Sequence, residues 1–395
     1  MNRAKLGIAI MAAAAVVGIA VAHPGHPPIT PPTVVLAPAA TGVHFELFRG
    51  NRIIVPIRIN GHETEALLDT GASITTFDRA YARSIDLPAG LKIDARGAGG
   101  PVSAELVSAI NVELGGLRLG GLSVGVMDLA PVARSLGRPI NVVLGRDFFN
   151  ASVISIDWAK NRLTFARSDA FKPSRGAVPI SLKRNGPFNT IPVSINGESA
   201  IEALFDIGNG GALALPKPYW GERETLANLR FADAQVGGVG GLHSARAVVV
   251  PRVTLAGRTF TKVPAVLSDG GSNSEPTQMA NVGIGLLREF HVDLDLGHDR
   301  VFLTPRADAP GFDRDRAGVR TELAGDRLKV VFVASQGPAA LAGLKVGDEI
   351  VAVDNLKVSA NYYNEPEWSR AEAGRTVTLA RADGSTVKVT LANYF

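Results

Sequence analysis

The chain has 395 residues, of which 46% are hydrophobic and 20% charged, and its net charge is +4. This length allows two or three domains, and the absence of long runs of one charge gives no indication of nucleic-acid binding. The chain has no cysteine, which excludes disulfides, thiolate metal sites and cysteine nucleophiles, while its 43 glycines and 6% aromatic residues favour many short strands and turns.

The N-terminal residues have the pattern of an export signal. Arg3 and Lys5 precede an apolar stretch at residues 6–22, which ends in the letters AVA. This pattern predicts a signal peptide at residues 1–22 and an exported protein, periplasmic or extracellular, in a bacterial envelope. The alternative is an uncleaved anchor, because the stretch is near the lower length limit for spanning a bilayer. We expect no other contact with a membrane.

Residues 23–44 follow the predicted signal peptide and contain six prolines. Such a composition predicts an extended linker rather than a folded element. His23 and His26 lie at the start of this segment. They are either solvated or able to hold a metal ion at the new N-terminus, and solvation is the expected state for two histidines on a tail. No metal site is predicted elsewhere.

The central part of the chain is an internal repeat of four blocks. Residues 55–73 (VPIRINGHETEALLDTGAS) return at 191–211 (IPVSINGESAIEALFDIGNGG), 96–119 at 237–260, 141–149 (NVVLGRDFF) at 281–290 (NVGIGLLREF), and 153–165 at 291–303. The third block aligns Gly145 with Gly285. Constant order and nearly constant spacing indicate a gene duplication that produced two lobes. Alternating apolar residues and Asn-Gly turns predict that each lobe is mainly β, with short helices near 78–85 and 145–149.

Each repeat carries an aspartate in a turn of small residues. Asp69 follows two leucines, and its burial would be costly without hydrogen bonds. We expect the N–H groups of Gly71 and Ala72 to point at its carboxylate and the hydroxyl of Thr70 to brace the loop. Asp206 is the counterpart in the second repeat. Two facing carboxyls share one proton, so that one member can deprotonate water while the other protonates a carbonyl oxygen.

These segments resemble a known family. LLDTGA at residues 67–72 is similar to the active-site loop of retropepsin-like aspartic proteases. VVLGRDF at 142–148 is similar to the segment that packs behind that loop, and RGAGG at 96–100 lies where the family has its flap. The resemblance covers about residues 45–306, as two lobes at 45–168 and 169–306.

The resemblance implies a mainly β, bilobal double β-barrel that hydrolyses peptide bonds in a protein or peptide substrate without a cofactor. It implies that Asp69 and Asp206 are catalytic. By the same resemblance, the supporting residues of the active-site loops are Thr70, Gly71, Ala72, Ile207 and Gly208. The flap residues are Gly97, Gly99, Gly100, Gly238, Gly240 and Gly241, for which plain turns are the alternative.

The second repeat departs from the family pattern at Ile207, which replaces a threonine. In the family that hydroxyl forms a hydrogen-bond brace between the lobes, and the loss of one such bond costs about 1 kcal/mol. The alternative to an active endopeptidase is therefore an inactive, peptide-binding scaffold on the same fold.

The C-terminal residues, 313–395, belong to neither repeat. The segment PAALAGLKVGDEI at 338–350 is similar to the most recognisable part of bacterial PDZ domains. This resemblance implies an α+β domain that captures a peptide C-terminus or an extended segment by strand addition. Gly318, Val319 and Arg320 are the predicted peptide-binding residues. The alternative is a structural or regulatory cap.

Overall fold

The computed structural model describes residues 9–10, 18–19, 31–37, 42–269, 279–364 and 367–395. Over these residues the fold is mainly β, with two lobes built from similar sheets and a smaller domain at the C-terminus. The predicted signal peptide lies outside the described residues apart from two dipeptides, and His23 and His26 lie outside them as well.

The first lobe is built on a ten-stranded sheet. In spatial order its strands are Gly18–Ile19, Leu91–Gly97, Gly100–Leu114, Leu117–Met127, Thr76–Asp78, Val142–Leu144, His62–Leu68, Arg52–Ile59 and Glu46–Phe48, with Thr33–Leu36 added beside Leu117–Met127. Val142–Leu144 runs parallel to His62–Leu68, so that the two strands end side by side. Asp69 lies at that end.

The second lobe is built on a nine-stranded sheet. In spatial order its strands are Ala9–Ile10, Phe231–Gly238, Gly241–Leu255, Arg258–Ser268, Leu213–Pro216, Ala280–Gly283, Ile201–Asp206, Phe188–Ile195 and Lys183–Asn185. Strand for strand, this is the order of the first lobe without its added strand. The repeat in the sequence is therefore a repeat of topology.

A third sheet, of six strands, joins the two lobes. In spatial order its strands are Val178–Ser181, Arg300–Pro305, Phe290–Asp295, Val153–Asp157, Arg162–Ala166 and Val43–His44. Its centre is an antiparallel pair in which Ile154 of the first lobe lies opposite Leu294 of the second. Both residues are fully buried in the apolar cluster that runs through both lobes.

The third block of the repeat has a different register from the one that the sequence predicts. Val143 lies opposite Leu67 in the first lobe, whereas Asn281 lies opposite Leu204 in the second. Gly145 therefore corresponds to Gly283, the residue that precedes the helix in lobe two, and not to Gly285. The alignment of the similar letters NVVLG and NVGIG is therefore wrong by two residues, because strand pairing and not residue identity sets the register.

The linker prediction is wrong for part of residues 23–44. Thr33–Leu36 forms a strand that pairs with residues 117–120, and Val43–His44 pairs with residues 162–163 in the third sheet. Proline is disfavoured in the interior of a sheet because it has no N–H to donate, but a run without proline, such as TVVL, can pair along an edge.

The helices are short, as the sequence predicts. They are Arg79–Ser84, Ala130–Leu136, Arg146–Phe149, Lys217–Trp220, Glu224–Ala227, Ile284–Leu287 and Pro338–Leu341, with 3-10 turns at Leu296–His298, Tyr362–Asn364 and Trp368–Arg370. Among the described helices, none has the length and apolar composition needed to cross a membrane.

The C-terminal domain has its own sheet and packs against both lobes. Its strands are Val319–Ala324, Arg327–Val333, Glu349–Val353, Thr376–Arg381 and Thr386–Thr390, with Leu356–Lys357 beside Glu349–Val353. Leu67, Val132 and Leu136 of the first lobe share one apolar cluster with the core of this domain. Ser335 Oγ of the C-terminal domain donates a hydrogen bond of 2.7 Å to Asp233 of the second lobe. The domain is thus held beside the strand that leads to Asp69.

Candidate active site

Asp69 lies directly after the strand His62–Leu68, in a turn that is closed by backbone hydrogen bonds. Its N–H donates to the Leu144 carbonyl at 3.0 Å, which ties the turn to the neighbouring strand. The N–H of Gly71 donates to Asp69 Oδ1 at 2.8 Å, as predicted. The N–H of Ala72, in contrast, donates to the main-chain carbonyl of Asp69 at 3.2 Å, because the tight turn points this group at the backbone instead of the carboxylate.

Asp206 has more hydrogen-bond donors around it than Asp69 has. The N–H groups of Gly208 and Asn209 donate to Asp206 Oδ1 at 2.9 and 3.0 Å. The amide of Asn281 donates to Asp206 Oδ2 at 2.7 Å. Hydrogen bonds of this kind stabilise the ionised form of a carboxyl. The environment of Asp206 therefore favours its carboxylate.

The two carboxyls face each other at the centre of the molecule. Both side chains are fully buried, with 0% of their surface exposed, and they lie within hydrogen-bonding reach of each other. The backbone of Gly71 lies against the opposite carboxyl, because a Cβ atom at this position would be 2.8 Å from Asp206 Cγ. Only glycine allows this approach of the first loop to the second aspartate.

The two aspartates differ in their affinity for a proton. Burial, followed by the negative charge of Asp206, raises the pKa of Asp69 well above its usual value. Burial also raises the pKa of Asp206, but the hydrogen bonds from Asn281, Asn209 and Gly208 oppose the increase. Asp69 Oδ2 accepts no hydrogen bond from any donor in the described part of the chain. The arrangement therefore places the shared proton on Asp69 and the negative charge on Asp206.

Thr70 joins the two active-site loops across the boundary between the lobes. Its hydroxyl donates to the Phe205 carbonyl at 2.8 Å and accepts a hydrogen bond from the Ile207 N–H at 3.0 Å. Ile207 itself is fully buried in the apolar core. The second lobe has lost its hydroxyl at this position, but its backbone is still held by the threonine of the first lobe.

Asn281 and Asn209 are site residues that the sequence analysis missed. The Nδ2 of Asn209 donates to Asn281 Oδ1 at 2.8 Å, and Asn209 Oδ1 accepts a bond of 2.9 Å from the Gly211 N–H. These bonds fix the amide of Asn281 with its Nδ2 towards Asp206. The repeated letters of the sequence carry no signal for this role, because they align Asn281 with Asn141, and only the strand register shows that it takes the place of Val143.

Asp147 supports the first active-site loop from behind. It is partly buried, and its carboxylate accepts hydrogen bonds from the N–H of Thr75 at 2.9 Å and from the Thr75 hydroxyl at 2.7 Å. The same hydroxyl accepts a bond of 3.1 Å from the N–H of Gly145. Burial raises the pKa of Asp147 to about 6, although these hydrogen bonds oppose the increase.

The predicted flap glycines lie at the tips of two long hairpins, one from each lobe. Gly97 pairs with Gly100 at the first tip, and Gly238 pairs with Gly241 at the second. The remaining two glycines of the prediction, Gly99 and Gly240, lie in the turns between these pairs.

The two flap tips contact each other. The Gly99 N–H donates to the Val239 carbonyl at 2.7 Å, and a Cβ atom at Gly99 would lie 2.0 Å from the Gly241 nitrogen. The absence of side chains therefore allows backbone-to-backbone contact between the lobes.

The predicted peptide-binding residues of the C-terminal domain lie on its first strand and the turn before it. Gly318 has a φ of 73°, a left-handed conformation that favours glycine. Its N–H and that of Ala317 donate to the partly buried carboxylate of Asp315 at 2.9 and 3.0 Å. Val319 and Arg320 are half-buried and line cavities towards the first lobe. Asp315 thus already uses two N–H groups of the turn in which we predicted carboxylate binding.

Among the described residues, no group of three or more histidine, aspartate or glutamate side chains is placed to hold a metal ion.

Comparison with protein families gives two matches. Residues 55–148 match the family described as aspartyl protease, and residues 316–391 match the family described as PDZ domain. No curated protein matched the chain. The first match contains Asp69, the first flap tip and Asp147, and the second contains the turn at Gly318. Residues 55–148 are therefore similar to aspartyl protease domains, and residues 316–391 are similar to PDZ domains.

Proposed function

We propose that this protein is an aspartic endopeptidase in which Asp69 and Asp206 activate a water molecule for hydrolysis of a peptide bond. The observation that carries this proposal is the facing of two fully buried carboxyls with unequal hydrogen-bond surroundings. An aspartate pair that shares one proton supplies a base and an acid in one place.

The unequal surroundings give each aspartate a role. Asp206, with three donors, is the stabilised carboxylate and takes a proton from the attacking water. Asp69, with its raised pKa, keeps a proton and donates it to the carbonyl oxygen of the substrate. The proton taken up by Asp206 then passes to the leaving nitrogen. As the C–N bond breaks, a hydroxyl of the tetrahedral intermediate returns a proton to Asp69, so that the pair again holds one shared proton.

The neighbouring features are consistent with a peptide substrate. The two flap tips meet, and their parting would admit an extended chain, which lids of this kind then enclose. We also propose that the PDZ domain captures the substrate or a partner protein. Its contact with the first lobe, through the cluster that contains Leu67, would bring a captured segment near the dyad.

The decisive test is cleavage of an unfolded protein, such as reduced casein, between pH 4 and 7. We expect wild-type protein to cleave it and Asp69→Asn and Asp206→Asn to lose activity by at least about a thousandfold, because each removes a group that transfers a proton. Asp326→Asn is the matched control, since its side chain is 82% exposed. Undiminished cleavage by Asp69→Asn, or peptide binding without any cleavage by the wild type, would contradict the proposal; the second result would favour a scaffold.

Export is a second part of the proposal, motivated by the basic and apolar pattern of residues 1–22. We expect the mature protein to begin at His23 and to be recovered from the periplasm or the medium after expression of the full chain. N-terminal sequencing of the recovered protein tests this. A protein that keeps Met1 and sediments with the membrane would instead be anchored.

A further inference from the structure

A cavity of about 300 Å³ lies where three parts of the chain meet. The first lobe contributes Leu67, two residues before Asp69, and the helix Ala130–Leu136. The second lobe contributes the tip of its flap, and the PDZ domain contributes Arg320 and Glu322 from its first strand. The cavity is therefore complete only when the PDZ domain is in place.

The charged residues of this cavity are mostly cationic. Its wall contains Arg52, Arg134 and Arg320 but one carboxylate, Glu322. Arg320 Nη1 donates to Glu322 Oε1 at 2.7 Å, so that the charges of these two side chains partly neutralise each other. The Nε of Arg320 is buried without a hydrogen-bond partner among the described residues. The cavity thus carries an excess of positive charge.

Arg52 is the most buried of these arginines, with 2% of its surface exposed. Burial lowers its pKa to about 10, and the charges of Asp206 and Asp69 oppose this decrease, so that the guanidinium is a cation at acid and neutral pH. One of its nitrogens, Nη1, donates to the Asn51 carbonyl at 2.7 Å. A buried cation is costly unless negative charge lies nearby. The dyad provides one such charge, and a substrate can provide another.

The second active-site loop makes room for this guanidinium. A Cβ atom at Gly210, four residues after Asp206, would lie 1.5 Å from Arg52 Nη1. The equivalent residue of the first loop, four after Asp69, is Ser73, which has a side chain. The glycine therefore permits the arginine of the first lobe to lie against the catalytic loop of the second.

We propose that Arg52 and Arg320 form a subsite that binds a carboxylate of the peptide substrate and thereby determines specificity. The subsite rests on the proposed endopeptidase function and adds its substrate class, an acidic peptide. The planar fork of a guanidinium binds a carboxylate through two parallel hydrogen bonds. The carboxylate belongs either to an aspartate or glutamate side chain or to the C-terminus of the substrate, and both sources have the same chemistry.

Matched peptides distinguish these sources. One set carries glutamate or glutamine in turn at each of the four positions on either side of the cleaved bond. The other set has the same sequence with a free C-terminal carboxylate or an amide. We expect wild-type protein to prefer a carboxylate at one of these places by about tenfold or more in kcat/KM at pH 6. The position of the preference identifies the source.

The variants Arg52→Gln and Arg320→Gln test the residues. The quantity compared is the ratio of kcat/KM for the acidic peptide to kcat/KM for its neutral counterpart, about ten in the wild type. We expect this ratio to fall to about two or less in Arg52→Gln and to about three in Arg320→Gln. Arg58→Gln is the matched control, because Arg58 lies on the same strand as Arg52 but is exposed and pairs with Glu63 at the surface. If Arg52→Gln fails to fold, Arg320→Gln carries the test.

Binding separates failure of the subsite from failure of catalysis. We expect the Asp69→Asn protein to bind the preferred acidic peptide about tenfold more tightly than its neutral counterpart, measured by fluorescence anisotropy. Equal cleavage of acidic and neutral peptides by the wild type would overturn the subsite but leave the endopeptidase. If the wild type cleaves no peptide, the proposal of an endopeptidase is wrong. Equal affinity for the acidic and the neutral peptide in the binding assay would then overturn the subsite as well.

Discussion

The hydroxyl of Thr70 accepts a hydrogen bond of 3.0 Å from the N–H of Ile207 across the boundary between the two lobes. The same hydroxyl donates to the Phe205 carbonyl at 2.8 Å. One threonine therefore holds two backbone groups of the opposite active-site loop. The isoleucine in the second loop removes a side-chain hydroxyl from this interface, but it does not release the loop that carries Asp206.

Replacement of Thr70 should accordingly be more damaging than replacement of Ile207. We expect Thr70→Val to lower the free energy of unfolding by about 3 kcal/mol, because it leaves a buried carbonyl and a buried N–H without partners. Thr70→Ser keeps the hydroxyl and should recover most of this loss. Ile207→Val removes one methyl group and should cost about 1 kcal/mol. Urea unfolding at pH 6 measures all three, and a Thr70→Val loss no greater than that of Ile207→Val would contradict this explanation.

The amide of Asn281 should set the acid limb of the pH–activity profile. Its hydrogen bond of 2.7 Å lowers the pKa of Asp206, so that Asn281→Ala raises this pKa. Because the base form of Asp206 must be ionised, the acid limb of kcat/KM should move to higher pH by about one unit. Asn141→Ala is the matched control, since the repeated letters of the sequence align Asn141 with Asn281, but its amide donates to Thr64 instead of the dyad. An unchanged acid limb in Asn281→Ala would show that the bond does not tune Asp206.

Asp147 should make stability depend on pH. Burial raises its pKa from the ordinary value of 3.8 to about 6, so that the folded protein binds this proton more tightly than the unfolded chain. The resulting stabilisation is fully present below about pH 4 and is lost as the pH rises through 6, by about 3 kcal/mol in total.

The variant Asp147→Asn tests this dependence, because it has no proton to lose. We expect the wild type to lose about 3 kcal/mol relative to the variant between pH 4 and pH 7. Urea unfolding of both proteins across this range is the measurement, and the exposed Asp326→Asn variant reports the effect of removing one surface charge. A constant difference between wild type and Asp147→Asn would show that burial does not raise this pKa.

Closure of the flaps should depend on the absence of a side chain at Gly99. A Cβ atom there would lie 2.0 Å from the Gly241 nitrogen, and Gly99→Ala should therefore separate the flap tips. We expect KM for a peptide substrate to rise by about tenfold, because the contact that encloses the substrate is lost. Gly120→Ala is the control, since its Cβ would be 3.5 Å from the nearest atom, Asn111 Oδ1. An unchanged KM in Gly99→Ala would mean that the flaps need not meet.

The sequence alone predicted the two lobes and the pairing of Asp69 with Asp206, because blocks that recur in the same order reveal a duplication and place the two aspartates at equivalent positions. Alternating apolar residues specify strands, and an aspartate followed by small residues specifies a turn that can hold a carboxylate. Resemblance to known families implied the flap glycines and the C-terminal domain.

The tertiary structure decided which residues surround the dyad. Asn281 reaches Asp206 because strand register brings residue 281 opposite Leu204, and the repeated letters of the sequence predicted a register that differs by two residues. Arg52 lies beside the second catalytic loop because the lobes pack with Gly210 against it. Register and packing between distant segments depend on the burial of whole faces, and no local pattern specifies them.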